Sequence, residues 1–337
     1  MAGAGQPWFM PLTWPIGHVA SAMSMGKDVK SEKPKAAASL DLIGHLTSFC
    51  GAMRAFGLAI VCIYVLFPDE TYPAFGAAKT FRKEWILPIL FRNLVATWTI
   101  CGFWDWFLYF SPMAKKLHKF KLNPKYPSLD QIKHDAFWTT TASICATGIE
   151  IGLCHAWATG HFPYRKDVFN LSTLVWALTI THWRIPHFWC IHRMMHPWKV
   201  NGIPDVGKFL YYHVHSLHHK SYNPTAWSGT NMHPVESTLY YSASLIPVAF
   251  GCHPAIAVGC IIDCAVGAWL GHDGFQWPGS GDYFHQLHHA HFDCNYGAMH
   301  VPIDKWLGTY AGRKEDVKKI WGKRPAGAKA NKTPVHK

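Results

Sequence analysis

HRMMH at residues 192–196, HSLHH at 215–219 and HQLHH at 285–289 place eight histidines in three clusters of related pattern. Residues 182–300 around them hold sixteen of the chain's twenty-three histidines. On a helix, residues three and four apart share one face, so each cluster aims two or three imidazoles at a common point. Eight nitrogen ligands exceed the four that one zinc ion takes. They suit two metals, and imidazole-rich sites with open positions fit iron. A single pair at this spacing is more often an ordinary structural pair. Three clusters in so apolar a chain would leave many buried ring nitrogens to satisfy without a shared partner.

Composition places these clusters beside lipid. Of 337 residues 49% are hydrophobic and only 15% charged, against about 25% charged in soluble domains. Seventeen tryptophans and thirteen tyrosines suit membrane interfaces. The net charge of +12 lies outside the apolar runs and is read as a surface for anionic headgroups rather than for nucleic acid. The ten cysteines, among them Cys50, Cys62, Cys101, Cys145, Cys154 and Cys190, are scattered singly through apolar segments. They are read as small buried hydrophobes, and Cys260 and Cys264, one helical turn apart, likewise.

Taken in order, residues 1–40 lack a helical period and read as a peripheral arm without a cleaved signal. Residues 41–180 hold spans and a basic loop. The run LTSFCGAMRAFGLAIVCIYVLF ends the first span, Gly44 to Phe67, with Arg54 its one charge. It is long enough to cross a bilayer. Trp85 to Phe110 is a second span, in which Arg92 and Asp105 are expected to be helix-packing partners. Lysines 115, 116, 119, 121 and 125 mark the following loop as cytosolic. Phe137 to Gly160, carrying Glu150, and Val168 to Trp189 complete four spans. Residues 181–312 form the region of the histidine clusters, including a membrane hairpin at 239–270 split by Cys252, His253 and Pro254. Residues 313–337 are a basic tail. The expected fold is an all-α integral membrane protein of about four transmembrane helices, with a cytosolic helical cap carrying a histidine-rich dimetal site; only helices satisfy their own backbone in lipid.

A zinc protease needs Glu directly after the first histidine, whereas Arg193 follows His192. Two histidines suffice for a haem. The remaining reading is a two-iron, oxygen-activating site. The order His-x3-His, His-x2-His-His, His-x2-His-His, with HHKSYNPTAWSGTNMHPVE between and CNYGAMHVPIDKWLGT closing, resembles the fatty acid hydroxylase and sterol desaturase superfamily over about Trp183 to Ala311. RIPHFWCIHRMMHPW and HSLHHKSYNPTAWSGTNMHPVE are most similar to its sterol desaturase branch. Ile303 stands where the family usually has tryptophan before the aspartate, here Asp304.

The resemblance implies that His192, His196, His215, His218, His219, His285, His288 and His289 ligate two iron ions, for which zinc can substitute in a purified sample. It makes His272, in GHDG, a ninth ligand. His187, His233, Glu236, Asp273 and Asn295 are candidates for supporting the ligands; His213, His291 and His300 are not distinguished from structural residues. The implied reaction is dioxygen-dependent oxidation of a C–H bond in a membrane lipid, a sterol or a long-chain acyl lipid, by hydroxylation or desaturation. The alternative is a non-catalytic relative serving as a structural or accessory subunit of a membrane assembly. A metal-ion transporter would string histidines along its spans instead. The sequence carries no fused haem, nucleotide or iron–sulfur motif, so a separate donor such as cytochrome b5 or a ferredoxin is expected. The implied location is the endoplasmic reticulum with the clusters facing the cytosol, a bacterial inner or organellar membrane being the other possibility. If basic loops dock an acidic donor, electron-transfer rates fall as salt rises; salt-insensitive rates contradict this.

Overall fold

The computed structural model describes residues 42–66, 76–123, 127–198, 202–277 and 282–322. The arm at 1–40 and the tail beyond residue 322 lie outside the described residues. Ten helices are followed below: α1 (Leu42–Ile60), α2 (Lys83–Tyr109), α3 (Leu129–Ala158), α4 (Leu171–Leu178), α5 (Ile180–Met194), α6 (Val206–His213), α7 (Pro234–Tyr241), α8 (Pro254–Leu270), α9 (Asp282–His291) and α10 (Lys314–Gly322). Among the described residues there is no strand, and one isolated bridge joins Lys121 to Phe275.

The helices pack by two different means. On α1, Ala52, Ala55 and Ala59 are buried at helical spacing and let α8 approach at Gly259, where an added Cβ would stand 3.7 Å from both Ala55 O and Ala59 Cβ. Small residues allow such close backbone approach where apolar burial drives little. Between α2 and α3 the contact is polar. Asn93 Nδ2 donates to Thr147 Oγ1 at 3.0 Å, Thr97 and Ser143 share a hydrogen bond of 3.1 Å, and Trp98 Nε1 donates to Thr140 Oγ1 at 3.1 Å. Arg92 pairs with the buried Glu150 on this interface. Asp105 accepts from the Ala226 backbone at 3.2 Å, so both charges of the second apolar segment act in packing.

One described helix, α2, is long and apolar enough to cross a membrane. Its outward face carries Leu87, Phe91, Val95 and Phe103, all exposed. The other expected spans take different forms. α3 spends its length on Thr140, Ser143, Thr147 and Glu150 facing α2, which dilutes its apolar character. The expected span from Val168 to Trp189 breaks at Thr179 into α4 and α5. The expected hairpin runs through α7, a 3-10 turn at Ser242–Ser244, a short α-helix at Leu245–Ala249, and α8; His253 caps α8, with Pro254 in its first turn. All ten cysteines are free thiols, but Cys50 and Cys190 are exposed, contrary to the buried reading. Periodicity alone does not say which side of an all-round apolar helix meets protein.

Because Glu150 is buried, removing its partner leaves an uncompensated charge. Arg92→Leu is expected to cost about 3–5 kcal/mol, read as a lowered thermal midpoint in detergent, and Arg92→Leu/Glu150→Leu to recover most of it. Equal midpoints for the single variant and the wild type would contradict the pairing.

Candidate metal centre

α5 and α8 run side by side toward the same end of the molecule, α5 delivering His192 at its last turn and α8 ending just before His272. A short 3-10 run, His215–Lys220, follows α6 and carries the second cluster; this cluster was expected on an α-helix. α9 carries the third. Nine ligand-capable nitrogens converge in two groups, within each of which they lie within 4.8 Å of one another. His192, His196, His215, His219 and His288 make one group; His218, His272, His285 and His289 make the other. Each His-His doublet divides, giving one ring to each group. His291 and His300 stay outside both, and His213 lies on α6 against Phe209, with ring centroids 4.5 Å apart.

Hydrogen bonds on the far side of the rings fix which nitrogen faces inward. Nδ1 of His192 donates to Tyr296 O at 2.6 Å, Nδ1 of His288 to Cys294 O at 2.7 Å and Nδ1 of His272 to Ala268 O at 2.6 Å. Nδ1 of His215 donates to Glu236 Oε1 at 2.7 Å and that of His218 to Asn231 Oδ1 at 2.6 Å. A neutral imidazole carries one N–H, so these five rings turn bare Nε2 lone pairs toward the centre. There His192 and His215 approach to 3.1 Å, and His272 and His218 to 3.2 Å, Nε2 to Nε2. Neither atom of such a pair has a proton to donate. Lone pairs held this way repel unless a cation lies between them.

The spacing fits that cation. Nitrogens about 2.1 Å from one ion lie about 3.0 Å apart at a right angle and about 3.4 Å apart at the tetrahedral angle. The remaining Nε2 pairs, His219–His215 at 3.0 Å, His288–His219 at 3.2 Å, His289–His285 at 3.1 Å and His289–His272 at 3.3 Å, fall in the same interval. His196, fully buried, has no hydrogen-bond partner at either ring nitrogen among the described residues. Burial pushes all nine imidazoles below the ordinary histidine range, His215 and His272 to about 3. Burial also pushes Glu236 up to about 7, so its contact with His215 is a hydrogen bond between neutral-leaning partners more than an ion pair. Neutral imidazole is the ligating form.

Of the candidates for supporting residues, Glu236 orients a ring directly. Asp273 instead fixes the turn after His272, accepting from Trp104 Nε1 at 2.9 Å, Trp277 Nε1 at 2.7 Å and Phe275 N at 2.8 Å. Gly274 in that turn has φ +83, and a Cβ there would meet Pro224 O at 2.6 Å. Asn295 touches no ligand; its amide bonds Phe284 O, Ala311 O and Ala311 N. With φ 56 it turns the chain between the two carbonyls that hold His288 and His192. His187 is bonded to Ser242 Oγ at 3.0 Å and His233 caps α7, so neither contacts a ligand ring.

Several residues escaped the sequence reading. Asn231 receives His218, and its own Nδ2 is held by Asp135 Oδ1 at 3.1 Å, while Ser221 and Ser228 bond the same carboxylate. With its NH2 turned to Asp135, the amide of Asn231 can offer only oxygen to His218. Asp304 binds the backbone of Tyr296 and Gly297 and the Trp189 indole. Asn231 sits in the quoted TNMHPVE segment, but Asp135 has no local signal; packing of α3 alone brings it there.

The centre ends a cavity of about 390 Å³. Histidines 192, 215, 218, 272 and 285 line one end, Ile185, Phe188 and Met232 its apolar wall, and Arg184, Asp263 and Gly267 belong to its lining farther along α5 and α8. Histidines in two adjoining groups, each of which could hold a metal ion, thus stand beside a chamber with an apolar wall.

Residues 176–309 match the fatty acid hydroxylase family. The chain is 30% identical over 185 residues to Delta(7)-sterol 5(6)-desaturase erg3C of Aspergillus fumigatus, covering 42% of this chain and 58% of that one. It is 27% identical over 150 residues to sphinganine C4-monooxygenase 2 of Arabidopsis thaliana, covering 41% and 53%, and 29% identical over 116 residues to human cholesterol 25-hydroxylase, covering 30% and 42%. It thus spans less than two thirds of each of these relatives. No solved structure matches it significantly. These matches place residues 176–309 among sequences similar to the fatty acid hydroxylase family and support the fatty acid hydroxylase and sterol desaturase superfamily for that region.

Supporting partners of metal ligands are worth about 10- to 100-fold in affinity. Asn231→Leu, by freeing the tautomer of His218, is therefore expected to weaken one metal by that factor. Competition with a chelator measures it; an unchanged titration contradicts the assignment.

Proposed function

We propose that the protein is a dioxygen-dependent, di-iron oxidoreductase that hydroxylates or desaturates a membrane lipid. The observation that carries this is the convergence of nine imidazoles, five of them with lone pairs fixed inward by outer hydrogen bonds, at the end of a cavity with an apolar wall. His192, His196, His215, His219 and His288 would hold one iron, and His218, His272, His285 and His289 the other. Iron at such ligands supplies redox chemistry that lets dioxygen attack unactivated C–H bonds. The chain's own part is to hold the rings, keep the chamber dry and set the lipid against them.

The sterol and sphinganine enzymes among the relatives support a lipid substrate, and the exposed apolar face of α2 supports a membrane location. We extend the reading to four spans with the centre on the cytosolic side, in the endoplasmic reticulum, and to electron supply by a separate cytochrome b5 or ferredoxin.

The test is oxidation by iron-loaded, membrane-reconstituted protein given a reducing donor, dioxygen and a lipid extract. The expected product has gained one oxygen or lost two hydrogens, and His218→Ala or His215→Ala abolishes it. Metal-replete protein that oxidises no lipid would favour the accessory-subunit reading instead.

A further inference from the structure

Among the polar groups that line the cavity and that the centre does not use, which include Arg54, Thr181 and His300, one buried ion pair stands out. Arg184, 6% exposed, and Asp263, 3% exposed, line it from α5 and α8. They bond through Arg184 Nε and Asp263 Oδ2, and Arg184 Nη2 reaches Asp263 O at 3.5 Å. Arg184 Nη1 and Asp263 Oδ1 have no hydrogen-bond partner among the described residues. Gly267 makes room for the guanidinium, since a Cβ there would lie 2.5 Å from Arg184 Nη2. An ion pair sealed in a core would satisfy all its groups internally, because each buried orphan is costly. This one borders a chamber and leaves the Arg184 Nη1 donors and the Asp263 Oδ1 acceptor without a partner among the described residues.

We propose that Arg184 and Asp263 bind the hydroxyl of an alcohol lipid, and so set which carbon reaches the metal centre; this rests on the proposed lipid oxidation. A hydroxyl can accept from Arg184 and can donate to Asp263. A carboxylate only accepts, and would face the charge of Asp263. A methyl ether cannot donate.

Both helices give a similar measure of length. Arg184 precedes His192 by eight residues on α5, and Asp263 precedes the end of α8 at Leu270 by seven, with His272 two residues beyond. At 1.5 Å per residue these are roughly 12 Å and roughly 10 Å along the two axes. The reacting carbon therefore stands well away from the hydroxyl, separated from it by the apolar stretch at Ile185 and Phe188.

The test is equilibrium binding of two radiolabelled alcohols, cholesterol and octadecanol, to the metal-loaded full chain in nanodiscs. Each is compared with its methyl ether, and octadecanol also with octadecanoic acid. Hydrogen bonds to charged groups correspond to about tenfold or more in affinity. At least one alcohol should exceed its ether by about that factor. The preference should vanish in Arg184→Met/Asp263→Leu, which removes both charges together, while metal content stays at the wild-type value. No preference for either alcohol, tighter binding of the acid, or a preference surviving in the double variant overturns the anchor. Because binding is read without turnover, a protein that prefers the alcohol yet oxidises no lipid keeps the anchor and loses only the oxidase reading.

Discussion

Imidazole lone pairs facing each other at hydrogen-bond distance, with no proton between them, are the constraint on which the centre depends. Each such ring has given its one N–H to a backbone carbonyl, a carboxyl group or an amide on its outer side. The inward nitrogens are then committed, and their repulsion is relieved by positive charge. The surroundings serve that commitment. Phe292 and Asn295, both at positive φ, bend the chain after α9 so that the carbonyls of Cys294 and Tyr296 return toward His288 and His192. Asp304, buried beneath that bend, gathers its amides and so fixes the carbonyls between them. Non-glycine residues at positive φ carry strain that surrounding structure must hold, and the bonds of Asn295 to residues 284 and 311 do so.

The two histidine groups are joined by covalent economy. Adjacent residues His218 and His219 face different groups, as do His288 and His289, so neither group can shift without moving the other. The 3-10 geometry of His215–Lys220 contributes, since its tighter turn redirects the third and fourth residues relative to an α-helix. The close seam of α1 on α8 and the polar ladder between α2 and α3 hold the framework from which these segments project. Asp135 shows the link most directly: a residue of the α3 framework determines the amide orientation of Asn231 and, through it, the tautomer of His218.

Much of this was legible in the sequence because metal-ligand spacing is local. The three clusters and His272 named the nine rings that the fold brings together, and the apolar composition anticipated an all-helical chain. What stayed hidden depends on contacts distant along the chain. Asp135 lies 96 residues from Asn231, and the carbonyls of Cys294 and Tyr296 carry no side-chain signature. The break at Thr179 was likewise invisible, because the apolar pattern runs on through it. Asp273 and Asn295, candidates for supporting the ligands, make their contacts with indoles and backbone at the turns beside the ligand rings, partners that residue type does not specify.

The most direct measurement is metal stoichiometry joined to X-ray absorption on the purified full chain. The account predicts two metal ions per chain, each surrounded by nitrogen scatterers with the multiple-scattering signature of imidazole. One ion or none, or a coordination shell dominated by sulfur or carboxylate oxygen, would contradict it.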